Sequence, residues 1–128
     1  MSTDFITVRA DDSLIHTIKK ILQMDLNSAI VIENNTKNIP VGIIKLKDLL
    51  RTIMEAFDRD APISGLSKIL AKDVMSVPLI YAFLDQPIWD ALDLMYSKNI
   101  SILPVIDSQG EIQGVVRMNS ILKNLSEL

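Results

Sequence analysis

The chain of 128 residues contains no cysteine. That excludes disulfides, thiolate metal sites and a cysteine nucleophile. Its one histidine, His16, has no thiolate partner with which to build a zinc site of the usual kind. It lies between Ile15 and Thr17, off the apolar stripe, and reads as an exposed helix residue. Glycine (four) and proline (five) are scarce and the apolar content is 48%, which is the composition of a globular chain, not a disordered one. Long apolar runs are missing as well. The longest uncharged one, Val77 to Leu84, falls far below the ~20 residues that cross a bilayer. No basic stretch and apolar core open the sequence, so no secretion signal is expected. Lysines and arginines are dispersed and the net charge is −3, which argues against a sequence-independent grip on nucleic acid. The neighbouring carboxylates Asp11, Asp12, Asp58 and Asp60 read as caps and solvated ends. No pair is spaced for acid–base work, and no catalytic or metal-binding residue is expected.

What the chain does have is an internal repeat. Leu14, Ile18, Ile21 and Leu22 mark one apolar helix stripe, and Ile88, Leu92, Met95 and Tyr96 repeat it 74 positions later. Ala29-Ile30-Val31-Ile32 meets Leu103-Pro104-Val105-Ile106 at the same offset. Val41-Gly42-Ile43-Ile44 meets Gln113-Gly114-Val115-Val116 at an offset of 72, the two residues being lost from the intervening turn. A duplicated unit implies two similar halves about a pseudo-twofold axis, with ligand sites repeated between them.

Each half reads as strand, helix, strand, strand, helix. Phe5 to Val8 and Leu79 to Phe83 are β-prone. Asp11, Asp12 or Ser13 caps the first helix, and Asp85 caps its counterpart with Pro87 in the first turn. Hairpins follow, with turns at Glu33 to Asn38 and Asp107 to Gly110. Gly42 inside its strand marks a bulge or the close approach of a backbone or a ligand. The closing helices run from about Leu46 to Phe57, with Leu49, Leu50, Ile53, Met54 and Phe57 inward, and from Asn119 or Ser120, with Ile121, Leu122 and Leu125 inward. Trp89, Tyr96 and the methionines Met24, Met54, Met75, Met95 and Met118 read as packing residues. Pro62 and Gly65 break the connector, though Leu66 to Leu70 is expected to form a helical turn. Neither half is large enough to bury its own sheet and helices well.

Four segments carry a family resemblance. They are Asp73-Val74-Met75, with Asp85 and a helix after it; Ile102-Leu103-Pro104-Val105-Ile106-Asp107; Gly42 to Asp48; and Gly114 to Ser120. The ordered set resembles a CBS repeat, the cystathionine β-synthase type of module, found twice over residues 3 to 125. The resemblance implies an α/β fold of two βαββα repeats around a pseudo-twofold axis. Residues 1–57 would be repeat 1, 58–72 a connector and 73–128 repeat 2, together one Bateman module.

The resemblance also implies a function. Such modules are regulatory, not enzymatic, and bind AMP, ADP, ATP, S-adenosylmethionine or a cyclic dinucleotide in the cleft between repeats. Asp48 matches the acid that bonds the ribose hydroxyls, and Ser120 stands in its place in repeat 2. Lys45 and Arg117 replace the family's threonine and put a cation where a phosphate would lie, so a phosphate-bearing ligand is favoured. Ile6, Thr7 and Val8, with Leu79, Ile80 and Tyr81, would supply backbone groups and apolar sides to the adenine. Asn27, Ser28 and Ser101 precede the middle strands, the second of which carries Pro104, where some relatives place His or Arg. The family further implies a cytoplasmic homodimer paired through its helices, signalling by a conformational shift to an unidentified regulated protein. The alternative is a CBS pair without ligand, serving dimerisation or protein interaction.

Overall fold

The computed structural model describes residues 1–34, 37–58 and 63–128. Asn35 and Thr36 of the expected turn, Arg59 to Pro62 of the connector, and the inward placing of Phe57 lie outside what it describes. The chain divides into two compact units, Phe5–Leu79 and Met1–Asp4 with Ile80–Leu128.

In the Phe5–Leu79 unit, β1 (Thr7–Arg9), α1 (Leu14–Gln23), β2 (Ser28–Ile32), β3 (Pro40–Lys45) and α2 (Leu46–Asp58) follow the expected order. A 3₁₀-helix (Ile63–Lys68) and a short α3 (Ala71–Val74) complete it. β1 runs parallel to β2, and β3 antiparallel. The all-buried β2 occupies the centre of the sheet, where its Ala-Ile-Val-Ile run is covered from both faces. The core gathers Val8, Leu14, Ile21, Val31 and Ile44 with Leu66 and Ala71 of the connector and Val74 just after it. The connector is thus core material and not merely a tether. Ser13 caps α1, its hydroxyl accepting from the His16 amide, while Asp12 accepts from the Arg9 amide just before it.

The second unit repeats the plan with β4 (Ala82–Phe83), α4 (Ile88–Ser97), β5 (Ile102–Ile106), β6 (Ile112–Arg117) and α5 (Met118–Ser126). The register shifts between Val105 and Ile106, as it does between Val31 and Ile32, so both hairpins carry the same bulge beside their glycine. Its core holds Ala82, Ala91, Met95, Leu103, Val105 and Val116.

Several expectations are corrected. Residues 79–81 make no ladder, and β4 is only Ala82–Phe83. The N-cap of α4 is Pro87, not Asp85: its fixed φ sets the helix start, and Gln86 takes the Phe83 amide instead. α5 begins at Met118. On the helices the buried rows are Leu14, Thr17 and Ile21 and, 74 positions on from the last two, Ala91 and Met95; Leu22, Ile88 and Tyr96 lie exposed. Leu50, Met54, Leu122 and Leu125 also face out, because a helix on one face of a three-stranded sheet needs only a narrow inward row. Trp89, Met24 and Met118 are likewise exposed and not packing residues.

Each sheet is finished by a segment from outside its own hairpin. Ser76 bridges Ile43 of β3, with hydrogen bonds of 2.8 and 3.5 Å. Ser2 bridges Val115 of β6, with two of 2.8 Å. Ser2 and Ser76 stand 74 residues apart, so the duplication extends to these leading segments.

Candidate functional site

The site in the Phe5–Leu79 unit lies where β3 turns into α2. A strand that becomes a helix without a loop leaves free amides at the junction, and Asp48 in the first turn answers them. Its Oδ2 accepts from the Lys45 amide at 2.9 Å. The Ser76 hydroxyl lies 3.3 Å from both carboxylate oxygens and donates to them. The Arg51 guanidinium, one turn on, sits 3.1 Å from Oδ1. Asp48 is only 5% exposed, and a charge that deeply placed requires such partners. It is thereby a fixed carboxylate, oriented before anything else binds.

The ladder brings other expected residues to this end of the sheet. Ser28 opens β2 and pairs with Lys45 across the strands, Ser28 being buried and Lys45 half-buried. Asn27 precedes Ser28 and is exposed. Ile6 is buried, and its carbonyl accepts from the Ile30 amide. Thr7 and Val8 pair with Ile30 and Val31, higher on the sheet, and the Thr7 carbonyl accepts from Lys20 Nζ at 2.6 Å. Gly42 is not at this end. It pairs with Val31, and a Cβ placed on it would lie 2.5 Å from Met75 Sδ. The close approach read from Gly42 is therefore made by the methionine of the leading segment. Ser76, Arg51 and Met75 are the residues that sequence reasoning missed. Arg51 is legible as an i+3 partner of Asp48, and Met75 and Ser76 as the repeat partners of Met1 and Ser2.

The second unit places Arg117 at the end of β6, opposite Ile102, with the Met118 amide donating to the Ser101 carbonyl. Ser120, the counterpart of Asp48, lies exposed in the first turn of α5. No side-chain partner holds Ser120 or Arg117 among the described residues. Both line a pocket of about 330 Å³ together with Met1, Ser2, Ile88 and Asn124. Pro104 is buried in the central strand, so its ring belongs to the core. Ile80 packs against that core, Tyr81 stacks edge-to-face on Phe83 at 5.6 Å between ring centres, and Leu79 belongs to the other unit. A Cβ on Gly114 would lie 2.5 Å from Met1 Cγ and 2.7 Å from the Ser2 carbonyl, mirroring Gly42 and Met75. Among the described residues no group of three acids or histidines is placed to hold a metal, and no helix is long and apolar enough to cross a membrane.

Comparison with known proteins agrees with the repeated fold. The model of the CBS domain matches residues 1–55 and again 71–127. An uncharacterised protein of Methanopyrus kandleri is 29% identical over 121 residues, spanning 94% of this chain and 57% of that one. The chain therefore covers little more than half of that relative's length. The inosine-5'-monophosphate dehydrogenase of Methanocaldococcus jannaschii is 28% identical over 120 residues, 94% of this chain but 21% of the enzyme. A CBS domain protein of Pyrobaculum aerophilum, solved in complex with AMP, superposes with a TM-score of 0.76 at 17% identity, over 100% of this chain and 95% of that one.

Proposed function

The chain belongs to the CBS domain family, with two repeats in tandem, and from that premise we propose that it is a regulatory module taking an adenine nucleotide, with Asp48 as the ribose acceptor. The observation that carries the reading is the fixed, buried Asp48 carboxylate at the start of α2. A carboxylate has about four acceptor directions, and the vicinal hydroxyls of a ribose take two. The Ser76 hydroxyl, at 3.3 Å from each oxygen, is the longest-held donor and the one a ribose displaces. Each hydrogen bond to a charged acceptor is worth about 1.5–3 kcal/mol, so the exchange favours the sugar. Lys45 and the positive end of the α2 dipole supply the surroundings that a phosphate requires. The AMP-bound neighbour supports an adenosine ligand. AMP, ADP and ATP are favoured over S-adenosylmethionine because Lys45 and Arg117 are cationic.

The module acts by preferring one conformation when occupied, which a regulated protein reads. The family member within a dehydrogenase, where the matching part is a fifth of the enzyme, supports an accessory role. The exposed rows Leu46, Leu50, Met54 of α2 and Met118, Leu122 of α5 suit pairing with a second copy. The experiment is calorimetry with AMP, ADP, ATP, S-adenosylmethionine and a cyclic dinucleotide on the native chain and on Asp48→Asn. The expected result is binding of a phosphate-bearing adenosine compound, weakened at least tenfold in the variant. Equal affinity in both proteins removes Asp48 from the site. Absence of binding by any compound to a folded sample favours the interaction module without ligand, a reading to which the exposed Ser120 lends support.

A further inference from the structure

The counterpart helices α1 and α4 share a plan and carry opposite charge. α1 holds His16, Lys19 and Lys20 and no acid, whereas α4 holds Asp90 and Asp93 and no base. Several of these groups are engaged within the chain. Lys20 Nζ donates to the Thr7 carbonyl at 2.6 Å, His16 lies 3.8 Å from Asp12, and Asp90 accepts from Gln86 at 3.3 Å. Lys19 and Asp93 are exposed, and neither has a side-chain partner among the described residues. They are repeat counterparts, 74 positions apart. Each stands in the middle of an outward row spaced i, i+4, i+7, which lies along one face of a helix. On α1 the row is Ile15, Lys19 and Leu22; on α4 it is Trp89, Asp93 and Tyr96. Leu22, Trp89 and Tyr96 are 72%, 75% and 88% exposed, and Ile15 is half-buried. A tryptophan and a tyrosine held that far out on one row have the composition of an interface centre, not of a solvated face.

We infer that these two rows meet each other in a homodimer: α1 of one copy lies on α4 of a second copy, with Lys19 of the one opposite Asp93 of the other. The charges select this pairing. Two α1 rows face to face set Lys19 on Lys19, and two α4 rows set Asp93 on Asp93. Like charges brought together out of water repel, so both like pairings are disfavoured. The mixed pairing sets opposite charges together whichever way the two helices run, because each charge is central in its row. Ile15 and Leu22 then cover the rings of Trp89 and Tyr96, and the water they displace strengthens the ion pair between them. About a twofold axis the contact is made twice, once by each copy's α1. This goes beyond pairing through the α2 and α5 rows, since it fixes that the first repeat of one copy meets the second repeat of the other. It is independent of the nucleotide reading, because none of the six row residues belongs to that site.

The test is charge exchange, read by sedimentation equilibrium over a dilution series of the full chain. Lys19→Glu and Asp93→Lys each set like charges across the contact. Each is expected to raise the dimer Kd at least tenfold with circular dichroism unchanged. An equimolar mixture of the two variants is expected to recover the native Kd, because every row in the mixed dimer then faces an opposite charge. Emission of Trp89, the single tryptophan, is expected to move to the blue as the native chain associates and to follow the mass. A native chain that stays monomeric throughout the series overturns the pairing. So does a variant that associates as the native chain does, which assigns the dimer to the α2 and α5 rows instead. A mixture that associates no better than the separate variants overturns it as well, since the recovery belongs to α1 on α4 and to no pairing of like rows.

Discussion

Asp48 is where the chemistry of single residues decides most. Its carboxylate serves the fold and the proposed ligand together, and the two roles are separable by substitution. Asp48→Ala strips the Lys45 amide and the Ser76 hydroxyl of their acceptor and leaves Arg51 unpaired. A loss of about 1–3 kcal/mol in urea-denaturation free energy is expected. Asp48→Asn keeps an acceptor in the same place and is expected to lose less than half of that, which is why it is the better binding test. Glycine offers a second test. In Gly114→Ala the new Cβ meets the Ser2 carbonyl, a backbone atom that cannot swing aside as a methionine tip does. Amide exchange at Ser2 and Val115 is expected to quicken, because the two hydrogen bonds between those residues are the ones displaced. A rate unchanged at both positions refutes the crowding.

Among the elements, those with a strong period were legible. The order strand, helix, strand, strand, helix appears twice as expected, since alternation and helical spacing are both local signals. What the local pattern missed has a common cause. The bridges at Ser2 and Ser76 are single-residue pairings with no periodicity to read. The connector looked like a broken linker because Pro62 and Gly65 interrupt it, yet its Leu66 and Ala71 are core residues through contacts distant in sequence. Leu22, Ile88, Tyr96, Leu50, Met54, Leu122 and Leu125 were expected inward and are exposed, because apolar spacing identifies a face without saying how wide the buried row is. Asp48, Lys45 and Ser28 were grouped by the family resemblance; in the sheet Ser28 pairs with Lys45, whose amide donates to Asp48. Arg51 was passed over although its i+3 spacing from Asp48 is local, and Ser76 was not foreseen because its tertiary hydrogen bond can be inferred only through the repeat partner Ser2. The element-scale prediction follows from the connector. Leu66→Ala is expected to cost about 2–5 kcal/mol, the range for a buried leucine and not for a linker residue. A change below 0.5 kcal/mol, roughly the surface value, removes the connector from the core.

On the scale of the whole molecule, the unit boundaries do not follow the repeats. The chain passes from one compact unit to the other at residues 4 to 5 and again at 79 to 80. A fragment of residues 5–79 contains its own leading bridge and the Leu66, Ala71 and Val74 contacts. It is expected to melt cooperatively. A fragment of residues 1–57 keeps the first repeat's hairpin and helices but loses those contacts, and is expected to give a broad, non-cooperative transition by calorimetry. If 1–57 melts as sharply as 5–79, the connector is dispensable.

The unequal fate of one position in the two copies, a caged acid at Asp48 and an unheld hydroxyl at Ser120, has an arithmetic outcome. On the proposed reading, only the first copy offers the carboxylate that a ribose needs. A titration is therefore expected to plateau at a single equivalent per chain, and Ser120→Asp to restore the second.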